Sequence, residues 1–367
     1  MTDMKKIVVV GCGAVLELCH RKALEQVAKR LGFQVVGLVD PNPARLAQAQ
    51  KWFPGAQDFA DTEACFTKLG DILLTVVTSP PPFHAAHVES AFNHGSHVLC
   101  EKPLAGSVAD AERIMAAAKH SGKVLSLGMT RRFYPCVVEA RRRILGGSLG
   151  SKLKFTYREG GVYGWPVASA APFRRESSGG GVLLDKGVHA LDSLGFLFGP
   201  GEVVASADDG PTESVEANAV TELQFERAAG TMQLSWDMNL SSGLHISGSE
   251  GEYWIPVGPL DLLFSRGSAQ SGWHREKIRV EWPLDLDPRK IKRGCPVDYN
   301  ECFLFQLVQT LRAIQLGEAP AATAVEGVAT MRLISAAYGM ATPLNKPWLS
   351  AAEQASCREH HWRRTRA

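Results

Sequence analysis

Between Ile7 and Leu127 the chain alternates short β-branched runs with amphipathic stretches, and this alternation restricts the fold more than any other feature of the sequence. Ile7–Val10, Val35–Val39, Ile72–Val77, His97–Cys100 and Val124–Leu127 read as strands. Leu18–Leu31, Ala44–Trp52, Ala85–Asn93 and Val108–His120 read as helices between them. Parallel strands must be joined by a long crossover, which a helix fills, so the rhythm predicts a parallel sheet with helices on its faces. Ser107, with Asp110 three residues on, supplies a helix start of the expected kind.

After Met129 the texture changes. A basic helix over Val137–Leu145 runs into the Gly146-Gly147 corner, which marks a domain boundary. Beyond it, Leu153–Tyr157, Ala219–Phe225, Thr231–Trp236 and Tyr253–Pro256 are strand-like and broken by Gly, Ser, Pro and Asp, which predicts a largely antiparallel sheet. One helix over Val182–Phe198 interrupts the strands, and two long helices follow, Tyr299–Leu316 and Val325–Met340. A chain of 367 residues, 45% hydrophobic, suits two such domains.

Charge narrows the partners. With 40 basic and 38 acidic side chains spread along the chain, no field exists to hold nucleic acid or an anionic membrane, so a small molecule is the expected ligand. The eight cysteines form no Cys-x-x-Cys pair and no His/Cys cluster at zinc spacing; buried, reduced thiols and no metal are expected. Lys5-Lys6 before Ile7–Val10 and Gly11-Cys12 imitates an export signal, but the apolar run is too short. No stretch approaches the roughly 20 apolar residues of a membrane helix. A cytoplasmic protein is expected.

The first strand runs directly into Gly11-Cys12-Gly13-Ala14-Val15 and then a helix, the context of a dinucleotide fingerprint. Glycine lets the backbone turn tightly against a pyrophosphate, and the helix start offers N–H donors. Leu16 stands where the third glycine would be, which puts the tightness of that packing in question. Asp40, ending the second strand, can accept from an adenosine ribose diol and repel a 2′-phosphate, favouring NAD. Asp40–Pro43 is also good turn chemistry, and Arg45 leaves NADP open. The fold class expected is α/β: a dinucleotide-binding domain with a parallel sheet over 1–129, then a domain with a largely antiparallel sheet over 130–345. A tail over 346–367, with Arg358, Arg363, Arg364 and Arg366 against Glu359, suits solvent or an interface.

Three further segments carry a resemblance: Thr78-Ser79-Pro80-Pro81-Pro82-Phe83-His84, then Cys100-Glu101-Lys102-Pro103-Leu104-Ala105, then Gly179-Gly180-Gly181 running through Asp185 and His189 to Asp192. In order and spacing, with the opening Gly-Cys-Gly, they resemble the glucose-fructose oxidoreductase and inositol dehydrogenase family, Gfo/Idh/MocA, up to about Leu344. The resemblance implies a Rossmann domain followed by an open-sheet α/β domain whose outer face makes homodimers or homotetramers. It also implies Lys102 as catalytic lysine, Asp185 and His189 completing the site, His84 beside the nicotinamide ribose, and Arg131 reaching the active site.

The residues themselves suit such chemistry. Moving a hydride from a carbinol carbon to nicotinamide requires the hydroxyl proton to leave, so a base must sit at that oxygen and a cation helps hold alkoxide character. Lys102 ends a strand of the parallel sheet, where doubly wound folds bind ligands, and a cis Lys102–Pro103 bond would aim it into the cleft. Glu101 could meet the ribose or Lys102, or be a solvated strand-end acid. Asp185 and His189, four apart, share a face of a continuous helix, the carboxylate orienting hydroxyls and the imidazole exchanging protons. The triple glycine before them would let backbone and ligand approach closely.

Trp165 and Arg174 are the candidate substrate contacts among Tyr163, Trp165, Phe173 and Arg174, since aromatic faces with polar neighbours suit sugar rings. Lys186 either answers an anionic substrate or points to solvent. His87, His94 and His97 read as structural or solvated. The leading expectation is an NAD-linked dehydrogenase of a sugar, sugar derivative or cyclitol. An enzyme that retains NAD for elimination, glycoside cleavage or epimerisation is a second reading, and a non-catalytic sensor a third.

Overall fold

The computed structural model describes residues 5–166, 170–210, 214–269, 272–287, 289, 292–344 and 352. The arginine-rich tail and Cys357 lie outside them. The chain divides into two compact units, Met1–Phe133 with Val280–Val328, and Tyr134–Arg279 with Ala329–Ala367.

In the first unit the strands are β1 (Lys5–Val10), β2 (Phe33–Val39), β3 (Gln57–Phe59), β4 (Leu74–Val77), β5 (His97–Cys100) and β6 (Leu125–Leu127). They form one sheet in the order β3-β2-β1-β4-β5-β6, every pair parallel. This is the Rossmann order, with its switch point between β1 and β4. The helices are α1 (Arg21–Leu31), α2 (Pro43–Gln50), α3 (Thr62–Leu69), α4 (His84–Asn93) and α5 (Val108–Ser121). Ser107 caps α5, its hydroxyl accepting from the Asp110 amide at 3.1 Å. The β3–α3 pair has no counterpart in the sequence reading; β3 is a three-residue edge strand too short to show a period.

A long stretch of chain returns to this unit. The sequence reading runs the second domain unbroken from 130 to 345, yet Val280–Val328 clusters with the first unit. Leu304, Leu307, Val308 and Leu311 share one buried core with Leu24 and Val27 of α1 and Ile7 and Val9 of β1. At about 1.5–3 kcal/mol for each large side chain buried, this packing settles where the segment lies.

The second unit holds α6 (Pro135–Leu145), then β7 (Leu153–Gly160), α7 (Arg175–Ser178), α8 (Val182–Asp185) and α9 (Gly187–Phe198). Strands β8 (Gly201–Asp208), β9 (Asn218–Phe225), β10 (Ala228–Ser235), β11 (Gly243–Ser247), β12 (Gly251–Pro256), β13 (Leu262–Gly267) and β14 (His274–Lys277) follow. The returning segment of the first unit then holds the two-residue ladder of β15 (Trp282–Pro283) with β16 (Arg293–Gly294), α10 (Tyr299–Leu316) and the start of α11 (Ala324–Met340), whose remainder belongs to the second unit with β17 (Ala341–Pro343). The nine-stranded sheet runs β14-β13-β12-β11-β7-β10-β9-β8-β17. Only β7–β10 and β8–β17 pair in parallel, so the sheet is mainly antiparallel and open, as expected. Among the described residues no helix is long and apolar enough to cross a membrane.

Candidate functional site

Strands β2, β1, β4 and β5 are adjacent and parallel, so their carboxyl ends share one edge of the sheet. At that edge stand Asp40, the Gly11–Gly13 loop, Thr78 with Ser79, and Glu101 with Lys102. Gly11 has φ +97°, and a Cβ there would fall 2.5 Å from the Ser79 amide nitrogen, so only glycine fits where the loops after β1 and β4 meet. Thr78 Oγ1 fixes this meeting by donating to the Gly11 carbonyl at 2.6 Å. A Cβ on Gly13 would fall 2.7 Å from Arg45 Nη1.

The Asp40 carboxylate accepts from the Cys12 amide through Oδ2 and from the Asn42 amide through Oδ1, each at 2.8 Å. It thus serves the fingerprint loop and starts the turn into α2, and each oxygen keeps a lone pair for another donor. Ala14 and Val15, half-buried, lead into a π-helical turn over Leu16–His20, closed by the Arg21 amide on the Leu16 carbonyl. The Leu16 side chain is fully buried in the core. A π-turn is wider than an α-turn, and it is in this wider turn that the bulky residue stands in place of the third glycine. Burial pushes the Cys12, Cys19 and Cys65 thiols up to about 12, with nearby carboxylates adding to it, as suits packing residues.

Around Lys102 the structure shows partners that local sequence did not. The Lys102–Pro103 bond is cis. Glu101 is buried, its Oε1 2.7 Å from His20 Nε2 and its Oε2 accepting the Lys102 amide at 3.0 Å. Glu101 is therefore not a solvated strand-end acid. His84 is completely buried, with Nε2 2.7 Å from the Ser79 carbonyl and Nδ1 3.0 and 3.2 Å from those of Pro103 and Leu104. Burial pushes this imidazole down from its ordinary value against the pull of those carbonyls. Its ring joins the Ser79 loop to the Lys102-Pro103 turn. His87, read as structural or solvated, pairs with Ser79, Nδ1 lying 2.9 Å from Oγ. Pro80 is exposed beside them. Arg131 is half-buried in the turn Thr130–Phe133; its buried neighbour Arg132, to which the sequence assigned no role, donates to the Ala321 carbonyl at 2.6 Å.

Asp185 and His189 lie in the second unit, Lys102 in the first. The helix expected to carry the pair without interruption is divided: Asp185 ends α8 and His189 lies in the first turn of α9. The His189 amide donates to Lys186 at 3.1 Å, a tightened turn, while Lys186 itself keeps helical dihedrals. The half-buried Lys186 donates through its ammonium to the Ser235 carbonyl at 3.1 Å, which occupies one of its three donors.

Two of the glycines before this pair stand where other parts of the chain approach closely, as expected of them for backbone. A Cβ on Gly180 would fall 2.1 Å from the Tyr338 hydroxyl, and one on Gly181 2.1 Å from the Glu216 carbonyl oxygen. They admit the close approach of protein groups. The buried Glu216 carboxylate accepts from the amides of Gly181 and Leu183 at 3.0 Å and from Tyr338 at 2.8 Å, fixing the start of α8. Tyr163, Phe173 and Trp236 pack edge-to-face, Tyr163 and Trp236 with centroids 4.8 Å apart. Burial and the charge of Asp185 raise the Tyr163 phenol, so this aromatic cluster stands near that carboxylate. Trp165 and Arg174 are exposed, Arg174 capping α7 through its backbone.

Comparison with known proteins agrees with this architecture. A family model described as an oxidoreductase family with NAD-binding Rossmann fold matches residues 5–129, and the Gfo/Idh/MocA C-terminal domain matches 137–254. The chain belongs to the Gfo/Idh/MocA family. D-glucoside 3-dehydrogenase of Escherichia coli is 28% identical over 63% of this chain and 62% of its own length. The 1,5-anhydro-D-fructose reductase of Ensifer adhaerens is 30% identical over 54% of this chain and 64% of its own. The aligned stretch thus spans less than two thirds of these relatives. Levoglucosan dehydrogenase solved with NADH and levoglucosan superposes with TM-score 0.74 at 20% identity, covering 91% of this chain and 97% of that one. A 3-ketoreductase from Actinomadura kijaniata with NADP gives 0.75 at 18%, over 94% and 100%.

The first unit fits a nicotinamide dinucleotide on its own geometry. Gly11 and Gly13 carry no side chain on either side of the buried Cys12 in the fingerprint loop at the end of β1, and Asp40 offers oriented oxygens at the end of β2. Among the described residues no group of three or more His, Cys, Asp or Glu could hold a metal ion.

Proposed function

We propose that this protein is an NAD-dependent oxidoreductase that moves a hydride between nicotinamide and a secondary hydroxyl, or the matching ketone, of a sugar, sugar derivative or cyclitol. The observation that carries this reading is the placing of Lys102 directly after β5, on the same strand-end edge as the Gly11–Gly13 loop and Asp40. Two relatives, a glucoside 3-dehydrogenase and an anhydrofructose reductase, act by name on pyranose-type substrates and support the choice of substrate class.

Gly11, Cys12, Gly13, Ala14 and Val15 would hold the pyrophosphate, Asp40 the adenosine ribose, and Ser79, Pro80, Glu101 and Arg131 the rest of the dinucleotide, with His84 supporting Ser79 from behind. Bound NAD accepts or returns the hydride. Lys102 and His189 serve as the proton-transfer groups at the substrate oxygen, and Asp185 orients neighbouring hydroxyls. Trp165 and Arg174 are the further substrate contacts. The Asp40 carboxylate disfavours a 2′-phosphate, which selects NAD over NADP.

The test is a panel of polyols, aldoses, glycosides and inositols followed at the NADH absorbance, preceded by mass spectrometry of whatever dinucleotide leaves the denatured protein. Lys102→Met should lower turnover by at least about a hundredfold, within the range general acid–base groups contribute, while NADH affinity changes little. Unchanged turnover in that variant would refute the assignment. Dinucleotide recovered with the protein and no net NADH on any substrate would favour chemistry that oxidises only transiently.

A further inference from the structure

His20 is a histidine with no evident task. It closes the π-turn after the fingerprint loop, is completely buried, and lies 81 positions from its partner Glu101. The contact is short, 2.7 Å from Nε2 to Oε1, with the Glu101 side chain 9% exposed. A carboxylate can only accept, so Nε2 is the donor in this contact. The other nitrogen, Nδ1, has no hydrogen-bond partner among the described residues, and the ring meets Phe303 edge-on with centroids 5.0 Å apart. The imidazole therefore spends its one polar contact on Glu101.

Glu101 passes the constraint on. Its second oxygen accepts the backbone N–H of Lys102 at 3.0 Å, so each carboxylate oxygen holds one protein donor and keeps one lone pair, and the rotamer is fixed from two sides. Gly128 leaves room for this arrangement: a Cβ there would fall 2.8 Å from Oε1. A buried polar chain rigidifies what it touches through the links it pairs, in this case His20 Nε2 to Glu101 and Glu101 to the Lys102 amide. Here it ties the helix behind the dinucleotide loop to the peptide from which Lys102 projects.

We infer that His20 is a positioning residue: by holding the Glu101 carboxylate at the Lys102 amide, it fixes Lys102 relative to the Gly11–Gly13 loop. The inference rests on the role proposed above for Lys102. His20 touches no reacting atom; it acts through Glu101. Because the constraint is one N–H donor at the Nε2 position, glutamine, whose amide nitrogen reaches about as far, should replace it and leucine should not.

The full-length protein labelled with [15N]lysine provides a readout independent of turnover, the Lys102 amide signal being the one that Lys102→Met removes. In His20→Leu that signal should shift or broaden and its hydrogen exchange quicken. Turnover on the best panel substrate should fall about 10- to 100-fold, as for a reacting group displaced by up to an ångström, with the Kd for NADH within about threefold of wild type. In His20→Gln the amide signal and turnover should return to near wild type. A wild-type amide signal and turnover in His20→Leu would overturn the inference, as would a folded His20→Gln as impaired as the leucine variant. Should Lys102→Met itself turn over normally, the oxidoreductase role of Lys102 falls. The amide signals of the two His20 variants then still decide whether His20 fixes this peptide.

Discussion

The backbone carbonyl of Glu216 occupies the space in which a side chain at Gly181 would begin: a Cβ there would lie 2.1 Å from that oxygen. Backbone cannot move aside as the end of a flexible side chain can. Gly181→Ala should therefore destabilise the protein by about 1–3 kcal/mol, the usual range for overpacking a filled site. A drop in Tm with NADH binding retained at low temperature is the expected result. An alanine variant with wild-type Tm would contradict the close approach.

The same glutamate makes stability depend on pH. Burial pushes the Glu216 carboxyl above its ordinary value, against the hydrogen bonds from Tyr338 and the backbone that pull it down. The folded chain thus holds this proton more tightly than the unfolded one. Its contribution is complete below the unfolded value of 4.5 and is lost as pH rises through the folded value. Glu216→Gln, which does not titrate, should gain stability relative to wild type as pH rises above about 4.5, measured as the difference in urea midpoint across a pH series. A constant difference would show that the group is not shifted.

These two glycine and glutamate contacts also mark where the sequence stops being legible. Gly11, Gly13, Asp40 and the strand ends around them could be read because each sits at a fixed offset from a periodic run, and the sheet then brings neighbouring strand ends together. Glu216 and Tyr338 are 122 positions apart, and His20 and Glu101 are 81 apart. No local period reports such pairings. The triple glycine announced a close approach, but only the folded chain shows that Tyr338 and Glu216 fill the space beside Gly180 and Gly181. The edge strand β3 is too short to carry an alternation at all, and the pattern of α10 announces an apolar face without saying which unit covers it.

Coenzyme choice should follow Asp40. Its two oxygens accept from the Cys12 and Asn42 amides, which hold the charge where an adenosine ribose would meet it. Asp40→Ser should remove the repulsion toward a 2′-phosphate and leave Arg45, beside Gly13, as the nearby cation. The ratio of kcat/KM for NADP to that for NAD should rise at least about tenfold, equivalent to about 1.4 kcal/mol. An unaltered ratio would mean that the carboxylate serves only the turn.

His87 should act on stability from the acid side. Its Nδ1 lies 2.9 Å from Ser79 Oγ, and burial, with the neighbouring His84 adding to it, lowers its ordinary value of 6.5 to about 4. At neutral pH the ring is therefore uncharged and can accept from the Ser79 hydroxyl. Because the folded chain binds this proton less readily than the unfolded one, the contribution is present above 6.5 and is lost as pH falls towards 4. His87→Asn cannot titrate. The advantage of wild type over this variant in urea midpoint should shrink steadily over that interval and be unchanged between about pH 7 and 8. His84, shifted in the same direction, remains in both proteins, so the difference isolates His87 except for the mutual influence of the two rings. If the two midpoints fall in parallel on acidification, folding does not shift the titration of His87.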